Sequence, residues 1–590
     1  MLRVDQSSAG PRRKAITLLS TPRQRDTILL LGFLLKEENV SQDHLTYLGF
    51  VVSQLRQFLT LSTILGLGFD LLSYREAVLA LALLDLRPAR HILAAGYSRR
   101  RGGRPPKDPV AMFRCLVLMS LLGETSFNKW GLRLRREPFL AILSGFLPGE
   151  SPAIGTFYLF ADRLLDGAYQ RRCPHVRKPS SKNKGSKGAF RRHLIREKEQ
   201  AKLEREERRL RGQPDAPVKA AVANALARIE HPRADDLHHR IEDLLFRCAV
   251  VPSAQLGLLG DLASLTVAGD GSPVESHADG SGRALCTCRR DGLEKCECER
   301  GYADPDARWG YDSHREKYVF GFRLHALVSN AAGVELPLHL LLDGANAADV
   351  VMAVEAITRL SKLLGEYLPE AEILNAVFDA GYDSTEFERL LVHLGARPFI
   401  PLNPRNAPPI DPIGVKRDEH GVPCCVGGAS MRFHGCDREK GVCVFNCPAK
   451  RPTRKNGKQV FTWRPEQCPL GTPCDPASVM GPMVRLPVKE DPRLNPPVPR
   501  SSEEWKEIYQ KRTCAERLFS FDKEAGGLGE RPYRRRHLVL LSGLTLALRK
   551  HAQAWVKNRF SQDELPRTAE ELLALLESLA AQPAVEPTEA

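Results

Sequence analysis

Two short β-prone runs each lead to an aspartate that a glycine follows within two residues. Residues 265–268 precede Asp270 in SLTVAGDGSPV, and residues 373–378 precede Asp379 in AEILNAVFDAGYDS. In an open α/β sheet, polar chemistry collects where strands end, because the loops there are free to carry it. Two acids placed this way, each next to a glycine that tolerates a tight turn, constrain the chain to an α/β fold that brings its strand ends together.

A third acid lies far downstream. The stretch YQKRTCAERLFSFDK sets Tyr509, Arg512, Glu516 and Lys523 at offsets that share one stripe of a helix, within roughly 60° at 100° per residue. Glu516 is thus expected beside two cations and a phenol. Mg²⁺ takes few carboxylates and completes its shell with water and phosphate oxygens, so Asp270, Asp379 and Glu516 are expected to hold a pair of Mg²⁺ or Mn²⁺ ions roughly 3.5 to 4 Å apart. Arg512 and Lys523 suit phosphate oxygens, Arg as a planar fork and Lys as a point charge, with Tyr509 alongside. Each acid also has an ordinary use: a turn at Asp270, a strand-end cap at Asp379, an i,i+4 pair of Glu516 with Arg512. Asp343 and Asp383 are second choices for the acid set.

On these residues the chain resembles the DDE transposases of bacterial insertion sequences, in particular the group with the Y-(2)-R-(3)-E-(6)-K signature. The signature is matched by Tyr509, Arg512, Glu516 and Lys523, and the D-x-G-Y around the second acid by Asp379, Gly381 and Tyr382. The resemblance is strongest over residues 265–548; upstream, GRPPKDPVAMFRCLVL at 103–118 resembles the segment that often precedes such domains. It implies a ribonuclease H-like catalytic core, a mixed sheet flanked by helices, with a helical N-terminal region and a cysteine-containing insertion before the last catalytic helix. It also implies binding of double-stranded DNA at terminal inverted repeats and at a target, metal-dependent strand cleavage and strand transfer, and work as a homodimer. A catalytically inactive DNA-binding regulator and a ribonuclease H-like nuclease or resolvase are the alternatives.

The bulk properties agree. The chain has 590 residues, is 43% hydrophobic and carries a net charge of +15, which favours a polyanionic partner. Much of the surplus is local: residues 171–211 hold sixteen Lys and Arg against five Glu. Such a run is a solvated linker or a phosphate-tracking segment. No charge-free apolar run approaches the roughly eighteen residues a bilayer demands, and the N-terminus has no apolar core with a small-residue cleavage site. A cytoplasmic, nucleoid-associated protein without membrane segments is expected, with its fifteen cysteines as reduced thiols or metal ligands rather than a disulfide framework.

The organisation reads as follows. Residues 1–100 form a helical N-terminal region, with helices at 43–59 and 74–86; residues 101–170 form a helical, candidate DNA-binding domain, with helices at 108–122, 126–143 and 152–165 and with Trp130, Leu132 and Leu134 among its buried positions. Residues 171–255 are a basic linker followed by helices at 197–211 and 220–246. The core runs over 260–402, with strands at 265–268, 318–328 and 334–342, a helix at 349–364, a strand at 373–378, a helix at 385–394 capped by Ser384, and a strand at 397–402. Residues 403–500 are a cysteine-rich insertion, 501–560 return to the core with Glu516, and 561–590 form the C-terminal tail. The arginines of RPYRRRH at 531–537 are expected to track phosphates.

Two cysteine groups interrupt the core. A loop at 284–300 carries Cys286, Cys288, Cys296 and Cys298 in a C-x-C-x7-C-x-C arrangement that suits tetrahedral Zn²⁺ in a segment almost without apolar residues. The insertion carries Cys424, Cys425, Cys436, Cys443, Cys447, Cys468 and Cys474 at irregular spacings.

Overall fold

The computed structural model of the chain describes residues 44–64, 69–97, 106–165, 216–233, 236–288, 292, 298, 300–312, 315–403, 415–437, 440–455, 458–488 and 491–581. The basic run at 171–211, with its expected helix at 197–211, and Cys296 lie outside them. The chain forms two compact units, Met1–Leu164 with Ala552–Ala590 and Leu165–His551.

The first unit is helical: α1 (His44–Ile64), α2 (Arg75–Leu83), α3 (Arg90–Ala95), α4 (Pro109–Leu121), α5 (Phe127–Arg136), α6 (Pro138–Ser144) and α7 (Ile154–Leu164). Asp108 caps α4 by accepting from the Ala111 amide, and Pro109 at the first helical position gives up no hydrogen bond. The single helix expected at 126–143 is two, because Glu137 precedes Pro138 and is pushed out of the helical region, to φ −116° and ψ 82°. Within α5, Leu132 lies roughly 200° around the helix from Trp130 and Leu134, so it faces outward, 46% exposed, while Trp130 and Leu134 stay buried. The helix Ala569–Ala581 packs on α1, where Arg56 pairs with Glu577 at 2.6 Å.

The second unit is built on a mixed sheet ordered β4-β5-β1-β7-β8, with β6 also on β5. Its strands are β1 (Leu265–Glu275), β4 (Arg308–Asp312), β5 (Lys317–Ser329), β6 (Leu336–Gly344), β7 (Ile373–Val377) and β8 (Arg397–Phe399); a small pair, β2 (Arg283–Ala284) and β3 (Arg300–Gly301), stands apart. Central β1 runs antiparallel to β5 and parallel to β7, and β7 is parallel to β8. β5 and β6 meet across a turn in which Gly333 takes a φ of 72°. β6 is almost wholly apolar and buried from Leu336 to Leu342, as a strand covered on both faces must be.

Helices α8 (Ala216–Arg228), α9 (Leu237–Leu245), α10 (Val251–Gln255), α11 (Asp349–Tyr367), α12 (Thr385–His393), α13 (Glu503–Tyr509), α14 (Thr513–Glu524) and α15 (Arg536–Arg559) accompany the sheet. The helix expected at 220–246 is again two, α8 and α9, with Asp236 capping the second by accepting from His238 and His239. Ser384 occupies the N-cap of α12 but makes no side-chain cap hydrogen bond. Beneath the sheet, Glu242 of α9 receives Arg359 at 3.0 Å and Arg233 at 3.2 Å, and shares a hydrogen bond with His339 of β6 at 3.0 Å. Burial pushes the Glu242 carboxyl up, yet His339 and Arg359 hold it well below the usual carboxylate range.

Between β8 and α13 the insertion has a core of its own, Val422, Met431, Cys443, Phe445, Leu486 and Val488. These residues sit on and around a three-stranded sheet of β9 (Arg432–Asp437), β10 (Val442–Asn446) and β13 (Met483–Pro487), and β11 (Lys450–Lys455) pairs with β12 (Lys458–Trp463) as a separate hairpin. Cys436 and Cys443, expected as reduced thiols or metal ligands, are joined as a disulfide, since they face each other across β9 and β10. Among the described residues, no helix is long and apolar enough to cross a membrane.

Candidate active site

Asp270 does not end its strand, as the sequence suggested. It sits inside β1 opposite Ala326 of β5, and β1 continues to Glu275. The neighbouring strand is the one that stops: β7 pairs with β1 only as far as Ala268 and Val377. From Gly269 onward that edge of β1 is open, and the Phe378 ring packs so close to Gly269 that a side chain at 269 would overlap it. Asp379 follows Phe378 directly. One strand end therefore exposes both acids to the same space.

Asp379 caps the short turn Ala380–Tyr382, accepting from the Gly381 amide at 2.7 Å. The ordinary use foreseen for it is real and leaves its second carboxylate oxygen without a partner among the hydrogen bonds formed here. Tyr382 then folds back among Phe378, Phe387 and His325, 2% exposed, with its hydroxyl unpartnered within the protein.

The stripe carrying the third acid is not one α-helix. Tyr509 ends α13, the 3₁₀ turn Gln510–Arg512 intervenes, and α14 starts at Thr513. α14 buries Cys514, Ala515, Leu518 and Phe519 against β1 and β5, leaving Glu516 on the outer face. Lys523, two turns on, shares that face. Arg512 donates to Glu516 at 2.6 Å across four residues, the pairing foreseen as the ordinary reading. Tyr509 stacks on Trp505, ring centroids 4.5 Å apart and 17° between planes.

Electrostatics tie these side chains to one site. Burial pushes the Asp270 carboxyl up to about 7; the Gly271 amide opposes this, and Asp379, Asp349 and Glu516 add to it. Tyr509 is raised by burial against the pull of Arg512, with Asp379 and Glu516 contributing. Lys523 is lowered by burial and by Arg315, while Asp312 and Asp270 pull the other way. The three candidate acids thus sense one another without closing into a tight cluster: among the described residues, their oxygens do not all come within 4.8 Å. Glu516 turns to Arg512.

Asp349 and Arg323 were missed. Asp349 opens α11 and packs against Gly271, where a Cβ would strike its carboxylate. Arg323 of β5 donates to it at 2.5 Å, while its Oδ1 is buried and unpartnered. Asp349 read as the first residue of a helix; the one signal available was Arg323, a charge within an otherwise apolar strand. Asp349 has Arg323 as its counter-charge, whereas Asp270 has one backbone hydrogen bond and no pairing cation among the described residues. An all-carboxylate donor set in which Arg512 is the one pairing cation among the described residues fits a hard divalent cation, which Asp270, Asp379 and Glu516 would hold.

Other candidates are occupied elsewhere. Asp383 is held by Arg493 and by the Asn403 amide, and Asp343 accepts from the Gly344 amide. Arg531 and Arg536, expected on phosphates, donate to the carbonyls of Gly526 and Leu342. In the loop at 284–300, Cys286, Cys288 and Cys298 bring their sulfurs within 4.8 Å of one another; among the described residues, the cysteines of the insertion form no such group.

A curled mixed sheet with carboxylates gathered over the end of its middle parallel strand fits the ribonuclease H-like class of core. Residues 268–548 match the family model described as Transposase DDE domain, and residues 75–163 match the one described as Transposase domain (DUF772). The two matches support a DDE-type transposase, and the second covers far more of the N-terminal region than the segment at 103–118 suggested. No curated protein matches the chain.

Proposed function

We propose that the chain is an active DDE transposase of the Y-(2)-R-(3)-E-(6)-K group. On this reading it binds the terminal inverted repeats of an insertion sequence as a homodimer in the cytoplasm and cuts and joins DNA strands. The observation that carries this is that Asp270, Asp379 and Glu516 stand around one opening of the sheet, where Asp270 is raised first by burial and then by the charges of Asp379, Asp349 and Glu516, and has no pairing cation among the described residues.

Asp270, Asp379 and Glu516 would hold two Mg²⁺ or Mn²⁺ ions. Bound there, such ions offset the negative charge of a phosphodiester and favour in-line attack by an oxygen nucleophile. The chain's own residues do the rest. β1 and the turn at Asp379 hold two carboxylates on rigid backbone, so they lose little freedom on engaging. Arg512, beside Glu516 and in the field of Asp379, presents a fork to a phosphate once DNA arrives. Lys523 supplies a point charge on the Asp270 side. Tyr509, fixed by Trp505, contacts the backbone near the cut. The helical segment 101–170 reads the repeat, and the basic run 171–211 tracks its phosphates.

The test is nicking of DNA carrying the element's own terminal repeats, with Mg²⁺ or Mn²⁺. Asp270→Asn, Asp379→Asn and Glu516→Gln should each abolish nicking while leaving binding to the repeat intact. Specific binding by the wild type without cleavage of any end sequence would favour an inactive regulator, and cleavage without strand transfer a nuclease or resolvase.

A further inference from the structure

After Glu275 the chain leaves the sheet, and it returns as β4 at Arg308. The base of this excursion is fastened to the core. Ser276 donates to Asp304 at 2.9 Å, Trp309 donates to the Gly280 carbonyl at 3.1 Å, and the Tyr302 and Phe320 rings lie 4.9 Å apart. Above that base, among the described residues, the hairpin has two pairs of facing residues, Arg283 with Gly301 and Ala284 with Arg300. Its outer part, residues 285–299, contains two aliphatic side chains, Leu285 and Leu293. A two-stranded ribbon is marginal in water even when well patterned, and this one has almost no apolar surface to bury.

Yet three thiols meet there. The sulfurs of Cys286, Cys288 and Cys298 all lie within 4.8 Å of one another, and those of Cys288 and Cys298 are 3.6 Å apart. That separation is far beyond a disulfide, whose sulfurs stand about 2.05 Å apart. It is close to the spacing of two ligands on one tetrahedral zinc ion, about 3.8 Å for Zn–S bonds of about 2.3 Å. Thiols attract one another weakly, so their convergence in a segment without a core calls for a cation at the centre.

We propose that Cys286, Cys288 and Cys298 bind a structural Zn²⁺ ion that folds the tip of this hairpin, separate from the acidic site. Cys296 lies outside the described residues. Each thiol releases its proton to solvent as its Zn–S bond forms. Thiolates gathered on one hairpin are the ligands of structural zinc sites, which makes the ion a fold element rather than a reagent. It does the work a hydrophobic core would do in a longer insertion, and it sets the outer end of a segment that begins at Ser276, just beyond the strand that carries Asp270.

The experiment is metal analysis of the full-length chain, purified without chelator. One zinc per chain is expected. Exchange with Co²⁺ should give the thiolate-to-metal absorption of a tetrahedral sulfur site. Cys286→Ser with Cys298→Ser should lose the metal, whereas Cys424→Ser with Cys468→Ser should keep it. Should the first pair fail to fold, Cys298→His, which restores a zinc ligand, and chelator extraction of the wild type, which should open residues 285–299 to protease, read the same site. Wild type without zinc, a visible iron–sulfur chromophore, or zinc retained after loss of Cys286 and Cys298 would overturn the proposal. Asp270→Asn keeps its zinc on this account, so metal content is read independently of DNA cleavage.

Discussion

Arg493 grips Asp383 with two parallel hydrogen bonds, Nε to Oδ1 at 2.6 Å and Nη2 to Oδ2 at 2.8 Å. Asp383 lies four residues beyond Asp379, and Arg493 lies near the end of the long insertion. Arg500 adds to the fastening, donating to the Ile400 carbonyl at 2.7 Å and to that of Arg493 at 2.7 Å. The insertion is therefore tied down beside one candidate acid just before the chain enters the helices that carry another.

Arg493→Ala should leave Asp383 buried with its charge unmatched, at a cost of about 3–5 kcal/mol. Chemical denaturation would measure the loss, and limited proteolysis should show the insertion opening before the sheet does. An Arg493→Ala protein as stable and protease-resistant as wild type would contradict the fastening.

Glu388 gives the fold a pH dependence. It is fully buried, both of its carboxylate oxygens lack a hydrogen-bond partner, and Arg500 stands 3.6 Å away. Burial pushes its carboxyl up to about 8 from an ordinary value of 4.5. The folded state thus holds the proton more tightly than the unfolded chain. The stability this contributes is complete below the lower value and is lost as pH rises to the upper one, at no more than about 1.4 kcal/mol per pH unit. Thermal melts between pH 5 and 8 should show the decline, and Glu388→Gln should flatten it.

Asp270→Asn should separate stability from activity. The amide oxygen keeps the hydrogen bond from Gly271 and removes a buried charge set among Asp379, Asp349 and Glu516. At neutral pH and without divalent metal, the variant should melt higher than wild type, by roughly 2–4 °C for each kcal/mol relieved, while nicking falls to background. A lower melting temperature would show that the Asp270 carboxylate is not strained by its neighbours.

Arg323 balances Asp349 beside Asp270. Arg323→Ala frees a further negative charge in the site, so Asp270 should hold its proton more tightly and compete less well for metal at neutral pH. The Mg²⁺ concentration for half-maximal nicking should rise roughly 10–100-fold, the usual scale for losing a residue that orients a metal ligand, and raising the pH should recover part of it. Arg323→Ala with Asp349→Asn should recover more. An unchanged Mg²⁺ requirement would exclude the pair from any part in the site.

Much of the core could be read from the sequence because its strands and helices are patterned by burial. β5, β6 and α11 are apolar runs or stripes that fit no other element, and each lies within a few residues of where its pattern put it. What failed was local and physical. Proline at 138 divided a helix whose periodicity ran straight through it, and Asp270 fell inside a strand because the edge is opened by β7 stopping, which β1's own residues do not record. Asp270 and Asp379 stood out because each follows an apolar run, and Glu516 because it shares a helix stripe with Tyr509, Arg512 and Lys523, whereas Asp349 was hidden by its place at a helix start, where an acid is ordinary. The Cys436–Cys443 disulfide depends on strand register, which the irregular spacing of the insertion's cysteines does not reveal.

β1 is bound to β5 by eight consecutive facing positions, Ala268 to Glu275, with Asp270 the third. The main chain at that acid cannot travel without unzipping the middle of the sheet. On the proposed function, any rearrangement that commits the protein to reaction would be made by the parts that come to it, the side chains of Glu516, Arg512 and Lys523 and the incoming duplex, with Asp270 serving as the anvil against which they close.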